Sequence, residues 1–226
     1  MAPAVKPPST YRKVQAEATR ARIAEAARGL FGTHGYGSTS IETIAAEAGV
    51  AIRTVYSAFG SKREILSLIC ERWLDQARAR ELAEDVLVEP DPIRRLRGAA
   101  RWLRVLYEAG FDVVTIFEAA TDESPETRAL LRGKLAGRNQ AMDAMIASLD
   151  GHLRVSVAEA QAVYRALAAP GVYRELVAES GWEPAEFEGW VGDALQRHLL
   201  GTPDADRVSP AQPARPTRRS RPRARS

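Results

Sequence analysis

The chain has 226 residues, enough for one large domain or two small ones with a buried core. Hydrophobic residues make up 45% and charged residues 27%, which is ordinary usage for a soluble globular protein. The composition excludes a bilayer span and a secretory signal, and the single cysteine, Cys70, excludes an internal disulfide. We therefore expect a soluble, cytoplasmic protein that needs no cofactor and has no membrane partner.

The net charge of +3 is unevenly distributed along the chain. Residues 1–62 carry eight Lys and Arg against four acids, whereas residues 63–201 carry seventeen against twenty-three. Residues 202–226 carry seven Arg against two Asp. DNA presents about one negative charge per 1.7 Å of duplex axis, so it attracts the basic N-terminal segment and repels the acidic body. The arginine-rich tail has two open interpretations: a solvated segment, or an additional phosphate contact.

Proline clusters at both ends, which predicts a disordered basic arm over residues 1–14 and a disordered Arg/Pro-rich tail over residues 202–226. The rest shows no alternating strand pattern and contains several helix-start signals, so we expect an all-α fold of eight to ten helices. Two of these signals place a capping residue before proline, and three are capping boxes. They are Asp91-Pro92, Ser124-Pro125, Thr39 with Glu42, Ser61 with Glu64, and Ser156 with Glu159.

Residues 15–62 are expected to form a three-helix unit. The first helix ends at Gly35, the second is stopped by Gly49, and a short third helix covers Ile52 to Phe59. Helix, tight glycine turn and short helix is the helix-turn-helix pattern. With Val55 and Phe59 turned inward, the third helix exposes side chains that suit a DNA major groove better than water. These outward residues are Ile52, Arg53, Tyr56 and Ser57.

The stretch from Ala24 to Leu66, which contains LFGTHGYGSTSIETIAAEAGVAIRTVYSAFGSKREIL, resembles the DNA-binding domain of the tetracycline-repressor (TetR) family. Shared positions include Gly35-Tyr36, Ala48-Gly49-Val50 and Thr54-Val55-Tyr56. Two departures are Ala51, where the family usually has a capping Ser or Thr, and Ala58, where a larger aromatic or basic residue is common. The resemblance implies a homodimeric repressor that a small-molecule effector releases from a palindromic operator in double-stranded DNA.

The resemblance also implies residue roles. Thr39, Tyr56 and Lys62 would contact phosphates, while Ile52, Arg53, Thr54 and Ser57 would lie nearest the bases. Lys62 follows the helix-capping Ser61, where a helix N-terminus and a cation can share one phosphate. For Thr39 the alternative is a simple helix cap, and for Arg53 it is a solvated surface arginine.

The body, residues 63–201, is expected to bind the effector and to dimerise, with the helix that starts at Ser61 tying it to the DNA-binding unit. A helix from Pro92 carries Arg94, Arg97, Arg101 and Arg104 on one side, either a solvated face or an anion site. Arg138 is the lone charge in an apolar helical stripe, so it either lines a pocket, or extends outward to solvent or meets a carboxylate such as Asp112 or Glu118. The candidate ligand-binding residues are Trp102, Tyr107, Phe117, Arg138 and Met142.

The last two helical segments predict a dimer interface, because broad apolar faces on consecutive helices can close a four-helix bundle with a second copy. A kink is expected at Pro170-Gly171. One-sided packing onto the protein's own core is the alternative. The candidate interface residues are Val163, Leu167, Leu176, Phe187, Trp190, Val191 and Leu195.

The sequence is compatible with three classes of protein. A ligand-responsive transcription regulator explains the basic N-terminal unit. An α-helical enzyme or carrier would make that unit incidental, but the chain lacks the common catalytic motifs. Its histidines, His34, His152 and His198, show no spacing for a metal site, so we expect neither catalysis nor a bound metal. The third class, a non-specific architectural DNA-binding protein, would use the N-terminal unit and the tail without sequence preference.

Overall fold

The computed structural model describes residues 9–200, and in that part every regular element is helical. This agrees with the all-α prediction. Two short π-helical turns, Arg174–Glu179 and Gln196–Leu200, extend the last two helices. The helices are α1 (Ser9–His34), α2 (Ile41–Glu47), α3 (Ile52–Phe59), α4 (Lys62–Gln76), α5 (Ala79–Val88), α6 (Pro92–Ala120), α7 (Pro125–Ala147), α8 (Val157–Leu167), α9 (Pro170–Tyr173) and α10 (Pro184–Leu195).

Most helix starts lie where the capping signals predicted them. The side chains of Asp91, Ser124, Ser61 and Ser156 each accept a hydrogen bond from a backbone N–H in the first turn of α6, α7, α4 and α8. The box predicted at Thr39 is wrong by one residue. Ser40 caps α2 by accepting from the Thr43 N–H at 3.1 Å, because the Thr39 side chain is turned into the protein.

The helix α1 begins earlier than its composition indicates. Residues 9–14 are helical and were predicted to belong to a disordered arm. Basic and polar residues form these turns, and the described side chains there are exposed. The sequence therefore has no apolar stripe there that would predict a helix. The rest of the predicted arm, residues 1–8, and the predicted tail, residues 202–226, lie outside the described residues.

The N-terminal unit packs α1, α2 and α3 around one small core that continues into α4. Ile23, Ile44 and Val55 are fully or almost fully buried, as are Ile65 and Leu66 of α4. A unit of about fifty residues is marginal alone, and the shared core with α4 supplies the missing burial. The helix α4 therefore ties the N-terminal unit to the body, as the sequence predicted.

The helix α6 forms the centre of the body and contacts α4, α5, α7 and α10. It is interrupted at Gly110, whose φ of −178° and ψ of 59° are extended rather than helical. Trp73 of α4 fits against this break, and its indole N–H donates to the Leu106 carbonyl at 2.8 Å. A side chain of α4 thus packs at the break in α6.

The C-terminal helices differ from the predicted dimer interface in two respects. The chain does not kink at Pro170-Gly171: α8 ends at Leu167, and Pro170 starts α9 as a separate helix. Phe187, Val191 and Leu195 are fully buried within the protomer, on a helix whose main packing partner is α6. They face inward and cannot meet a second copy. Val163, Leu167, Leu176 and Trp190 remain partly exposed.

Candidate nucleic-acid interface

A tight glycine turn orients α3 against α2. Gly49 adopts a φ of +62°, a left-handed conformation that side chains rarely adopt, and the Val50 N–H then donates to the Ala45 carbonyl at 3.0 Å. Ala51 precedes α3 in extended conformation and provides no side-chain cap. The third helix therefore starts directly at the turn, as the helix-turn-helix pattern requires.

The outward face of α3 carries the side chains that the sequence predicted there. Val55 and Phe59 are buried, whereas 43% of Ile52 and 51% of Tyr56 are exposed. Arg53 and Ser57 are exposed as well, and Thr54 is half-buried at the edge of the same face. An exposed Ile and Tyr beside an Arg match thymine methyl, phosphate and guanine edges in a major groove. This face is the candidate interface.

Arg20 of α1 holds the C-terminal end of α3, a role the sequence analysis missed. Its guanidinium lies 4.3 Å from the centre of the Phe59 ring and donates to the Ala58 carbonyl. A cation over an aromatic ring and a charged donor on a helix carbonyl both stabilise this arrangement. No local pattern could reveal it, because 38 residues separate the two partners.

Thr39 and Lys62, both predicted to contact phosphates, are engaged inside the protein. Thr39 is 3% exposed and its hydroxyl donates to the Gly35 carbonyl at 2.8 Å. The Lys62 amine donates to the carbonyls of Tyr36 at 2.5 Å and Thr39 at 3.0 Å, and lies 4.3 Å from the Tyr36 ring centre. Burial lowers the pKa of Lys62, and the nearby Glu123 opposes that shift. Both side chains hold the turn between α1 and α2 through these hydrogen bonds, and their phosphate contacts stay predictions.

Charged contacts join the N-terminal unit to the body. Arg28 of α1 makes a bidentate pair with Asp112 of α6 at 2.6 and 2.7 Å, which raises the pKa of Arg28 and lowers that of Asp112. The Glu123 carboxylate lies directly against Gly37, where any Cβ would overlap it. These two contacts place the break in α6 and the start of α7 next to the N-terminal unit.

The predicted ligand-binding residues are only partly brought together. Arg138 reaches the Tyr107 hydroxyl at 3.5 Å, and Met142 lies fully buried one turn further along α7. Trp102 instead donates to the Ala79 carbonyl at 2.7 Å and ties α5 to α6. Phe117 is half-buried on α6. Of the five predicted ligand-binding residues, the three that lie near one another are Tyr107, Arg138 and Met142.

The other candidates have structural explanations. On the arginine face of α6, Arg97 pairs with Asp193 at 3.0 Å and Arg104 with Glu188 at 2.5 Å, so these residues hold α10 rather than an anion.

Cys70 is buried, and burial raises the pKa of its thiol to about 11, as expected of a core cysteine. Residues 9–200 contain no group of three metal-ligating side chains and no helix long and apolar enough to span a membrane. An open groove of about 480 Å³ lies along α1 and includes Arg22, Gly29 and Glu47, away from every predicted ligand-binding residue.

A three-helix unit with an exposed third helix, joined through one helix to an all-helical body, is the architecture of helix-turn-helix DNA-binding proteins. Residues 23–69 match the model of the tetR family of bacterial regulatory proteins. A transcriptional repressor of the helix-turn-helix type from Streptomyces coelicolor is 39% identical over 77 residues, 34% of this chain. The match spans only 38% of that relative's length.

Solved structures share the whole fold. A transcriptional regulator of the TerR/AcrR family from Aquifex aeolicus has a TM-score of 0.62 and 24% identity, covering 79% of this chain and 98% of that one. The Bacillus subtilis regulator FadR in complex with stearoyl-CoA has a TM-score of 0.65 and 18% identity, covering 80% and 98%. The N-terminal unit thus matches the model of the tetR family of bacterial regulatory proteins, and the fold of the chain is shared with solved regulators.

Proposed function

We propose that this protein is a sequence-specific DNA-binding transcription regulator, a repressor released from its operator when a small molecule binds the body. The observation that carries the proposal is the outward face of α3, with Ile52 and Tyr56 exposed around Arg53 while Val55 and Phe59 anchor the helix. Such a face suits direct contact with base edges. Tyr56 is the exposed side chain on this face that suits a phosphate contact.

Selection of bound duplexes from a random DNA pool, at near-physiological salt, tests the proposal. Enrichment of a palindrome with half-sites about one helical turn apart, or slightly more, is expected for a dimeric regulator. Binding without an enriched sequence would instead favour the architectural protein. Absence of binding by ligand-free protein would contradict a DNA-binding role and return the helical enzyme or carrier to consideration.

Arg53→Ala is expected to weaken binding to the selected operator by about 10- to 100-fold and to relax preference at one base position, because one bidentate guanine contact contributes about 1–3 kcal/mol. Arg101→Ala removes the same charge from an exposed position on α6 and is the control. The measurement is affinity for the operator and for single-base variants. Equal weakening on every sequence would assign Arg53 to the backbone instead.

We also propose a homodimer that uses the partly exposed residues of the C-terminal helices. Trp182 and Trp190 pack edge to face with ring centres 6.3 Å apart, and both remain partly exposed in the protomer, as do Val163 and Leu167. An exposed apolar surface of this kind suits an interface between two copies.

Sedimentation at micromolar concentration is expected to give a dimer for the natural chain and a monomer for Leu167→Glu, because a buried unpaired charge opposes association. Val88→Glu is the control, since Val88 is 78% exposed on α5. A monomeric natural chain, or a dimer that Leu167→Glu leaves intact, would contradict this interface.

A further inference from the structure

Arg138 lies in the body with one buried N–H of its guanidinium, that of Nε, unpaired. Its Nε is buried and has no hydrogen-bond partner among the described residues, while one Nη donates to the Tyr107 hydroxyl at the long distance of 3.5 Å. A guanidinium has five N–H donors, and leaving a charged donor buried without an acceptor is costly. The one other buried unpartnered side-chain atom in residues 9–200 is Oδ1 of Asn139, an acceptor that needs a donor rather than an anion.

The carboxylates that could neutralise Arg138 are paired with other arginines. Asp112 pairs with Arg28 and Glu118 with Arg174 at 2.5 Å, so the two partners considered in the sequence analysis are both engaged elsewhere. On α7 itself, Asp143 pairs with Arg165 of α8 at 2.5 Å. Within residues 9–200, Arg138 has no carboxylate within ion-pair distance.

The neighbouring phenols do not supply the missing negative charge. Burial raises the pKa of Tyr107 to about 12, and Tyr164 is fully buried with its pKa raised as well, so both are neutral at physiological pH. Their hydroxyl protons are also used: Tyr107 donates to the Ala168 carbonyl at 2.5 Å and Tyr164 to the Ala99 carbonyl at 2.7 Å. Arg138 therefore contacts one neutral phenol oxygen, that of Tyr107, and no anion among the described residues.

The surroundings of Arg138 are apolar and lead to the surface. Met142 is fully buried one turn after it, and Leu135 is 48% exposed one turn before it on the same helical stripe. Leu135 thus provides an apolar surface beside the half-buried cation. A ligand with a charged head and an apolar body could cover Leu135 while its head reaches the guanidinium.

We propose that Arg138 is the anion-binding group of the effector site, and that the effector is a small organic carboxylate with an apolar tail. The carboxylate accepts two parallel N–H bonds from Nε and an Nη of Arg138, as carboxylates do in bidentate pairs. This inference rests on the proposed function, since it assigns a ligand class to the site in the body. Tyr107 stands three residues before Gly110, so a ligand at Arg138 contacts the part of α6 that Trp73 and Asp112 connect to the N-terminal unit.

The test measures binding of octanoate and 4-phenylbutyrate to the full chain by calorimetry, each against its neutral amide. Both carboxylates should bind at least about ten-fold more tightly than their amides, the effect of one charged hydrogen-bonded pair. Arg138→Gln should abolish that preference, and Arg138→Lys should retain part of it, because lysine keeps the charge without the planar fork. Arg132→Gln, an exposed position on the same helix, is the matched control and should bind like the natural chain.

Equal affinity for carboxylate and amide overturns the inference. So do carboxylate binding that Arg138→Gln leaves unchanged, and failure of both carboxylates to bind at millimolar concentration. Each variant is first checked for the helical circular dichroism and melting temperature of the natural chain. If Arg138→Gln does not fold, Arg138→Lys replaces it in the comparison of carboxylate and amide binding. Operator selection on the same protein separates the two proposals. DNA selection without carboxylate binding refutes only this inference, whereas carboxylate binding without DNA selection refutes only the proposed regulator.

Discussion

Gly110→Ala is expected to destabilise the protein by about 1–3 kcal/mol, the usual cost of overpacking a core. A Cβ at Gly110 would stand 2.5 Å from Cδ1 and 2.9 Å from Nε1 of the Trp73 indole, so the indole must move. Backbone strain is not the cause, because a φ of −178° is accessible to any residue. The measurement is the free energy of unfolding from denaturant titration.

Gly133→Ala provides the control for that substitution. Gly133 lies within α7 on an exposed position, and a Cβ there would meet nothing within 4 Å. Alanine in such a place is expected to stabilise the protein by about 0.5–1 kcal/mol, because it restricts the unfolded chain and favours the helix. Equal stability of the two variants would show that Trp73 is not packed tightly in the break of α6.

Trp73→Phe separates the hydrogen bond from the packing. Phenylalanine keeps much of the apolar contact but leaves the buried Leu106 carbonyl without the indole N–H, at a cost of about 1–3 kcal/mol. Because Trp73 belongs to α4 and Leu106 to α6, loss of this bond should also reduce how strongly a ligand in the body alters DNA affinity. A variant that is less stable but retains full ligand response would restrict Trp73 to a structural role.

Lys62→Met is expected to lower the free energy of unfolding by about 1.5–3 kcal/mol, because the charged amine donates to carbonyls of the turn between α1 and α2 that methionine cannot satisfy. Lys134→Met is the control. Its amine pairs with Glu71 at 3.1 Å near the surface, where an ion pair contributes about 0–1 kcal/mol. Thermal and denaturant unfolding of both variants give the comparison.

The same pair of variants distinguishes a structural Lys62 from a phosphate-binding one. Loss of a phosphate contact reduces the slope of log affinity against log salt by about one and leaves stability unchanged. An internal Lys62 gives the opposite pattern, with lower stability and an unchanged salt slope at temperatures where the unit is folded. An unaltered melting temperature together with a shallower salt slope would assign Lys62 to a phosphate contact.

The sequence by itself was sufficient for the elements whose signals are local. Helix caps at Asp91, Ser61 and Ser156 depend on residues within one turn, and the stripe that buries Val55 and Phe59 depends on helical periodicity alone. The outward face of α3 followed from that stripe by elimination. The helical class and the recognition helix were therefore predictable.

Only the tertiary structure decided which surfaces face one another. Phe187, Val191 and Leu195 form an apolar face whether they pack on α6 or on a second copy, and periodicity cannot tell these alternatives apart. The hydrogen bonds of Lys62 to the turn between α1 and α2 could not be predicted, because 23 to 26 residues separate the partners in sequence. The partners of Asp112 and Glu118 were likewise unpredictable, because surface charges pair with whichever arginine packing brings near. The sequence could not predict that the Nε of Arg138 has no partner, for the same reason. Hydrogen bonds and ion pairs between distant helices depend on how the helices pack, which no local pattern encodes.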